Sequence, residues 1–399
     1  MSEILNSAVQ SVRQSKAAWC RFITGNDTGT TGSHQAGFYV PKCASELLFD
    51  EPGRKGENKE KTVQIKWQDD FTTESCMKYY GQGTRNEYRI TRFGRNFPFL
   101  QDDNVGDLLI IAKFTEKDYV GYVLSRDEDI DEFFATFNLP PNETNQLIDV
   151  SGIVMPDEKI AQLLFEFVNR FNSFPETKTM ATGARKCFNS AYNIAETALK
   201  SSPDEILLNW VDTEYRLFRL MEEKVYAEVM SKPFGSIDAF VQTANEVLNR
   251  RKSRAGKSLE HHLADIFTHN ELVFEEQAVT EENKKPDFLF PNADCYHNLQ
   301  FPADDLIVLG AKTTCKDRWR QVLTEADRVV VKYLFTLQQG ISKNQLREMK
   351  DSQLKLVVPH KYIGSFPQEF QSEISTLKDF IHFVKGKQEH FPRHYFFHY

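Results

Sequence analysis

Short runs of alternating apolar and polar residues dominate roughly the first 170 positions of the chain. Four of these runs, separated by glycines and Asn/Asp clusters, are HQAGFYVP (34–41), TVQIKW (62–67), DLLIIAKF (107–114) and DYVGYVLS (118–125). A period of two is typical of β-strands, and short strands at this spacing indicate a barrel or a sandwich. The acidic run 126–142 predicts one helix, which two prolines end. We therefore expect a mainly-β N-terminal domain.

The period changes from that of a strand to that of a helix near residue 156. EKIAQLLFEFVNRF (158–171) has the apolar spacing of an amphipathic helix, whereas residues 172–186 have no clear period. After Pro203 the helical period returns, and helices then alternate with near-continuous apolar strands such as LIVLGAKTT (306–314). This alternation predicts an α/β fold, in which a mixed central sheet is flanked by helices.

The pattern divides the chain into three parts. We expect an N-terminal domain over residues 1–172, a linker or hinge over 173–202, and a C-terminal domain over 203–399. A length of 399 residues supports two or three domains, because chains of this size exceed the common domain length. The 32 phenylalanines supply apolar material for more than one core.

Composition narrows the classes of function. A net charge of −8 excludes a protein that coats nucleic acid indiscriminately, so any contact with nucleic acid must come from local basic patches. The six cysteines form no CxxC pair, which argues against a zinc ribbon or a disulfide framework and fits a reducing compartment. The N-terminus is polar and no apolar run approaches membrane-spanning length. We expect a cytoplasmic protein with no membrane partner.

Three residues of the C-terminal part suggest phosphodiester chemistry. Asp287 begins an apolar strand, Lys312 ends the next strong strand, and Glu325 lies thirteen residues further on, in a predicted helix. Two carboxylates can hold Mg²⁺, which polarises a phosphate and lowers the pKa of a bound water. A lysine beside them orients that water and offsets charge on the phosphorane. The alternative, a solvated acid and a surface lysine, stays open because both residue types are common at strand ends.

A second group follows Lys312 directly. Lys316, Asp317 and Arg318 precede a run of helical period, and a helix N-terminus is what enters a major groove in many DNA-binding proteins. Lysine and arginine donate to guanine, and aspartate accepts from cytosine N4, so the triplet is a candidate reader of G·C pairs. An exposed, salt-bridged first helical turn is the alternative.

The segment NRRKSRAGKSLE (249–260) carries five basic residues with no acid between them. We interpret it as a phosphate-contacting stretch that leads into a helix from Ser258, with Glu260 turned toward the metal site. Its AGKS sequence is not a P-loop, because Arg251 stands where the first glycine is required and no strand precedes it. A nuclear-localisation signal is the alternative. The candidate phosphate-binding residues are Arg250, Arg251, Lys252, Arg254 and Lys257.

Two N-terminal segments also carry candidate DNA contacts. His34 lies among small polar residues, and Arg85, Glu87 and Arg89 are spaced two apart, so they share one face of an extended chain. Arg-x-Glu-x-Arg on one face is again a donor–acceptor–donor pattern for base pairs. A cross-strand ladder of ion pairs is equally compatible with the spacing.

Five segments together resemble the EcoRII-like type II restriction endonucleases, a group within the PD-(D/E)xK nuclease superfamily. They are GNDTGTTGSHQAG, GTRNEYRITRFGR, NRRKSRAGKSLE, NKKPDFLFP and AKTTCKDRWRQVLTEAD. The resemblance implies a C-terminal PD-(D/E)xK nuclease domain that forms a homodimer. It further implies an N-terminal effector domain with a DNA-binding pseudobarrel fold, which binds a second copy of the site and restrains the nuclease until it is occupied.

The resemblance also assigns roles to residues. Asp287, Lys312 and Glu325 match the catalytic positions, Asp287 and Glu325 as metal ligands, with Glu260 as an accessory acid. Lys316, Asp317 and Arg318 match the base-reading triplet. The predicted effector-domain contacts to DNA are His34, Arg85, Glu87, Arg89 and Arg92.

Three positions depart from the patterns of related enzymes. Gly310 occupies the place of the superfamily's usual second acid, two residues before the lysine. The resemblance implies that this group of enzymes shares the departure and takes its second acid from the next helix, where Glu325 lies. In the effector domain, Gly83 and Tyr88 occupy positions that are basic in a near relative. We expect fewer phosphate contacts there and weaker effector binding.

The leading hypothesis is a Mg²⁺-dependent endonuclease that makes double-strand cuts at a CCWGG-type site, with CCNGG as the alternative. Its partners would be double-stranded DNA carrying two or more site copies, a second copy of the chain, and a cognate methyltransferase that protects the host. One competing hypothesis is a non-catalytic DNA-binding regulator with a degenerate nuclease fold. Another is a repair or recombination nuclease, which would select DNA structure rather than sequence.

Overall fold

Two units make up the chain in the computed structural model, which describes residues 2–29, 37–142, 144–148 and 157–391. The N-terminal unit takes in residues up to 151 together with two later segments, 338–347 and 364–371. The C-terminal unit takes in the rest of the chain from residue 152. The division is therefore not the simple sequential one that the hydrophobic pattern predicts.

The described part of the N-terminal unit contains one eight-stranded sheet, with strand order β2-β5-β4-β3-β7-β6-β1-β8. Adjacent strands are antiparallel except β3 and β7, which are parallel. The strands are β1 (Ala17–Phe22), β2 (Phe38–Val40), β3 (Lys59–Trp67), β4 (Thr72–Tyr80), β5 (Glu87–Thr91), β6 (Leu108–Lys113), β7 (Asp118–Leu124) and β8 (Gln146–Leu147).

Both faces of this sheet are covered. The α-helices in the described residues before 152 are α1 (Glu3–Gln14), α2 (Gly25–Thr28), α3 (Ser45–Leu48) and α4 (Asp127–Phe137). Phe22 and Phe133 belong to the core on the face where α1 and α4 pack, whereas Trp19 and Trp67 belong to the core on the other face. Successive residues of β1 thus enter different cores, as the period-two pattern requires. The predicted mainly-β N-terminal fold is confirmed.

A six-stranded mixed sheet forms the centre of the C-terminal unit, in the order β14-β13-β12-β11-β10-β9. β9 and β11 each pair antiparallel with the central β10, and β11 to β14 run parallel. The strands are β9 (Glu275–Glu276), β10 (Phe288–Phe290), β11 (Ile307–Lys312), β12 (Lys332–Thr336), β13 (Leu354–Val358) and β14 (Ser375–Thr376). The predicted α/β fold with a mixed central sheet is confirmed.

The remaining helices lie from residue 158 onward. They are α5 (Glu158–Val168), α6 (Thr177–Tyr192), α7 (Glu196–Ser201), α8 (Pro203–Met230), α9 (Ile237–His269), α10 (Ala293–His297), α11 (Trp319–Leu323), α12 (Lys343–Asp351) and α13 (Leu377–Gln388). Among the described residues, no helix combines the length and the apolar character that crossing a bilayer demands.

The predicted linker over residues 173–202 is instead helical and partly buried. α6 and α7 occupy most of it, and α6 shares a core with α5 and α8. Its buried positions are mostly small residues, such as Ala184 and Ala191, which contribute little to an apolar pattern. Gly183 explains the close packing, because a Cβ there would lie 2.2 Å from the ring of Phe167. α5, predicted for the N-terminal domain, likewise lies in the C-terminal unit.

Candidate active site

Asp287 and Lys312 meet because two neighbouring strands are antiparallel. Phe288 of β10 pairs with Leu309 of β11, which brings the start of one strand level with the end of the other. Asp287 Oδ2 accepts a hydrogen bond of 2.7 Å from the Ala311 backbone N–H and one of 2.9 Å from Lys312 Nζ. Asp287 is only 7% exposed, so this ion pair is mostly shielded from solvent.

Glu325 reaches the same place from the segment that follows β11. A Cβ at Gly310 would lie 2.6 Å from Val322 Cγ2, so glycine at this position lets α11 pack directly against the strand. That close approach carries Glu325 to Asp287. The predicted helix is shorter than expected, because α11 ends at Leu323 and Ala326 adopts a left-handed φ of 53°. Glu325 therefore lies just beyond the helix and not within it.

The Glu325 carboxyl is unusual in its environment. Its Oε2 atom is buried and has no hydrogen-bond partner among the described residues. Burial raises the pKa of Glu325 to about 7, and the negative charge of Asp287 adds to this rise while Lys312 opposes it. A carboxyl in this state is poised to ionise when a positive charge comes near.

Glu260 completes the group from α9. Its Oε2 accepts a hydrogen bond of 2.7 Å from Lys257 Nζ, one turn earlier on the helix. Burial raises the pKa of Glu260, although the Lys257 hydrogen bond opposes that rise. The structure thus brings together all four residues that the sequence nominates, namely Glu260, Asp287, Lys312 and Glu325.

Gln277, which the sequence does not nominate, also lies in this group. Its Nε2 donates to Asp287 Oδ1 at 3.1 Å and lies 3.5 Å from Glu260 Oε2. No motif or spacing marks this glutamine in the segment EEQAV. Only the pairing of β9 with β10 places it opposite Asp287.

The donor set suits a hard divalent cation. Carboxylate oxygens from Asp287, Glu325 and Glu260 are the ligands that Mg²⁺ and Ca²⁺ prefer, and Mg²⁺ commonly uses one or two of them while it keeps several waters. Within the described ranges, no three His, Cys, Asp or Glu side chains are already grouped as a metal cage. Lys312 donates to one oxygen of Asp287. A bound cation would therefore take further oxygen ligands from substrate and water.

The candidate base-reading residues lie between β11 and α11. Asp317 is exposed, Lys316 and Arg318 are half-buried, and Arg318 is the N-terminal cap of α11. The predicted position at a helix N-terminus is therefore observed. All three residues also make interactions within the protein.

The basic segment 249–260 is not a lead-in to a helix but the middle of α9, which is continuous from Ile237. Arg254 is 4% exposed, and its guanidinium carbon lies 3.6 Å from the centre of the Tyr215 ring. Arg251 Nε donates to Glu222 Oε1 at 2.8 Å. These two residues join helices, and the buried Arg254 is not placed to contact a phosphate at the surface.

The other members of the segment are closer to solvent. Arg250, Lys252 and Lys257 are exposed, with the guanidinium of Arg250 4.5 Å from the Phe174 ring centre. A periodicity of 3.6 residues explains the division, because one side of α9 packs on α8 while the other faces water. The predicted phosphate contacts thus reduce to these exposed side chains, with the ion-paired Arg251 less accessible.

Four of the five predicted DNA contacts of the N-terminal unit lie among the described residues. Glu87 and Arg89 lie on the same face of β5 and form an ion pair of 3.4 Å. Arg85 precedes the strand and is exposed near the Tyr80 ring, and Arg92 follows the strand with a left-handed φ of 63°. His34 lies outside the described residues.

Comparison with known proteins covers both units. Residues 12–144 match the family model described as restriction endonuclease EcoRII, N-terminal, and residues 218–381 match EcoRII C terminal. The chain is 36% identical to the type II restriction enzyme EcoRII of Escherichia coli over 98% of its own length and 100% of that protein.

Two solved structures resemble part of the chain. Metal-depleted Ecl18kI in complex with uncleaved, modified DNA is 18% identical, with a TM-score of 0.45 over 58% of this chain and 84% of that one. A PspGI–substrate DNA complex is 16% identical, with a TM-score of 0.44 over 55% and 95% of the respective chains. The whole-chain identity to EcoRII is higher than the identity to either structure. On that identity and the two family matches, the chain belongs to the EcoRII family of type II restriction endonucleases.

Proposed function

We propose that the chain is a Mg²⁺-dependent endonuclease that makes double-strand cuts at a CCWGG-type DNA site. Family membership implies a divalent metal in general terms, and the observation that carries the proposal is the convergence of Lys312, Asp287 and Glu325. An ammonium 2.9 Å from one buried carboxylate, with a second buried carboxyl beside them, suits metal-assisted hydrolysis of a phosphodiester.

Each side chain has a distinct task in this proposal. Asp287 and Glu325 would hold the cation, which supplies Lewis-acid polarisation of the phosphate and a more acidic water. Lys312 is fixed by its hydrogen bond to Asp287, so its ammonium is already oriented to offset charge that develops on the phosphorane. Glu260 supplies further negative charge from α9. The low exposure of Asp287 strengthens every one of these electrostatic interactions.

Replacing Lys312 by alanine tests the chemistry. We expect Lys312→Ala to abolish cleavage of plasmid DNA in Mg²⁺ while specific DNA binding in Ca²⁺ stays within a few-fold of the parent, because the lysine acts on the reacting phosphate. Lys355→Ala, which changes an exposed strand lysine, is the matched control. Cutting at the full rate by Lys312→Ala would rule out this site. If the parent protein binds DNA but never cuts, the regulator hypothesis replaces the nuclease.

Specificity forms a second part of the proposal. Lys316, Asp317 and Arg318 at the start of α11 suit the reading of two G·C pairs in each half-site. CCWGG is favoured over CCNGG by the resemblance to the family. Sequencing the ends of a digest decides between the two, and structure-selective cuts without discrete fragments would indicate a repair nuclease instead.

Regulation forms the third part. We propose that the N-terminal unit binds a second copy of the site as an allosteric effector and inhibits the nuclease when it is empty. The N-terminal family match and the β5 residues Glu87 and Arg89, flanked by Arg85 and Arg92, support this. The enzyme would act as a homodimer beside a cognate methyltransferase.

A further inference from the structure

Gln277 contacts two of the acidic side chains of the candidate site with one amide group. Its Nε2 lies 3.1 Å from Asp287 Oδ1 and 3.5 Å from Glu260 Oε2. Asp287 Oδ2 is bonded separately by Lys312 and the Ala311 N–H. An amide nitrogen carries two N–H donors, so a single glutamine can link an acid on β10 with an acid on α9.

Glu260 experiences opposing influences at this point. Lys257, which is exposed on α9, donates a hydrogen bond of 2.7 Å to Glu260 Oε2. Asp287 repels it, since two carboxylates that share a site disfavour each other's charge. Gln277 is the hydrogen-bonding contact that links Glu260 to Asp287. Without that amide, the carboxylate would keep only the Lys257 hydrogen bond and the attraction of the Lys312 charge, and repulsion by Asp287 would move it outward.

The backbone at Gln277 is arranged to serve this contact. The residue follows β9 directly and adopts a left-handed φ of 52°, a conformation that costs a residue other than glycine about 1 kcal/mol or more. Its N–H donates to the Asp287 carbonyl at 3.3 Å, which fixes the turn against β10.

We propose that Gln277 is a positioning residue, which holds the Glu260 carboxylate beside Asp287 and thereby sets the affinity of the site for a divalent cation. This inference rests on the proposed function. Gln277 acts through Glu260 and is not itself a ligand. Loss of groups that orient ligands commonly lowers metal affinity by about 10- to 100-fold.

Binding of Mn²⁺ to the full-length protein without DNA, followed by electron paramagnetic resonance of the free ion, tests the proposal. We expect Gln277→Gly to weaken Mn²⁺ binding by about tenfold. Glycine suits the left-handed backbone, so the variant removes the amide and leaves the turn intact. Gln277→Leu, which keeps much of the volume, should weaken binding to the same extent, whereas the exposed Gln300→Gly should bind as the parent does.

A double-substitution cycle with Glu260→Gln separates positioning from any direct role. In the Glu260→Gln background, Gln277→Gly should cause a smaller loss of Mn²⁺ affinity than in the parent, because only its hydrogen bond to Asp287 is then removed. An equal loss in both backgrounds, or Gln277→Gly binding as tightly as the parent or more tightly, would overturn the inference. Asp287→Asn reports on the proposed function separately. If it still binds Mn²⁺ like the parent, the metal site itself is wrong, and if it loses binding while Gln277→Gly does not, only the inference fails.

Discussion

At the scale of single residues, Glu325 places function and stability in opposition. Burial and the charge of Asp287 raise its pKa to about 7 from an ordinary value of 4.5. A carboxyl whose pKa is raised by folding stabilises the folded state below its unfolded pKa, and that contribution is lost as the pH rises through the folded pKa. The ionised side chain that a metal needs is therefore the form that destabilises the metal-free protein.

Glu325→Gln should consequently be more stable than the parent at high pH. In EDTA at pH 8 we expect a gain of about 1–3 kcal/mol, because each pKa unit corresponds to about 1.4 kcal/mol. The gain should shrink toward pH 5, where the parent carboxyl is neutral as well. Thermal melts across this range measure the difference, with the exposed Glu282→Gln as control. A variant less stable than the parent at pH 8 would contradict the burial argument.

At the scale of elements, the distance between neighbouring elements decides whether a position has room for a side chain. β11 and α11 approach closely only because Gly310 has no side chain to meet Val322. α5 and α6 approach closely at Gly183 for the same reason. Elsewhere, α9 contains Gly256, where a Cβ would meet nothing within 4 Å. Gly183 and Gly256 both lie within helices, but only Gly183 is needed for close packing against a neighbouring helix.

Two alanine substitutions test this contrast. Gly183→Ala should lower the unfolding free energy, because the new methyl group collides with the Phe167 ring and overpacking typically costs about 1–3 kcal/mol. Gly256→Ala should raise it by about 0.5–1 kcal/mol, since alanine loses less backbone entropy in a helix. Chemical denaturation of both variants gives the values. Equal effects of the two substitutions would show that the α5–α6 contact is looser than described.

α9 also carries a buried polar contact that orients Glu260. Ser258 Oγ donates to Glu214 Oε2 of α8 at 2.7 Å, and His262 Nε2 lies 2.8 Å from the same oxygen. Ser258 and His262 stand two residues before and after Glu260. Buried polar groups with fixed partners resist rotation of a helix about its axis, so this contact keeps Glu260 facing the β9 side.

At the scale of the whole molecule, the net charge and the proposed regulation both restrict when the protein binds and cuts DNA. A chain with net charge −8 repels DNA at long range, so binding depends on the local basic segments. Such contacts are strongly salt-dependent. The proposed regulation adds a second requirement, since the N-terminal unit must be occupied before the nuclease is released.

A short duplex carrying the site should therefore stimulate the enzyme in trans. We expect slow cutting of a single-site plasmid by the intact protein, and acceleration when the duplex is added. Arg89→Ala should lose the acceleration but keep the basal rate, because the change lies in the N-terminal unit. Lys66→Ala, at an exposed β3 lysine of the same unit, is the control. Full acceleration of Arg89→Ala would contradict a role for β5 in effector binding.

The sequence alone predicted the class of both units and four members of the candidate site. Period-two and period-3.6 patterns are local, so they marked the N-terminal strands and the helices and strands of the C-terminal unit. Asp287 and Lys312 were found because residues at strand ends tend to meet at one edge of a sheet. The resemblance to enzymes that take their second acid from the helix after Gly310 predicts Glu325.

Tertiary structure decided the rest, because those features depend on contacts between residues far apart in the chain. The apolar pattern does not predict α6, because its buried face consists mostly of small residues. Such residues add little to an apolar pattern but let a neighbouring helix pack closely. The sequence of α9 predicts Arg254 as a phosphate contact, because nothing local reveals that Tyr215 of another helix helps to bury it. Gln277 has no local signal at all. Register between β9 and β10, together with the packing of α9, brings its amide to Asp287 and Glu260.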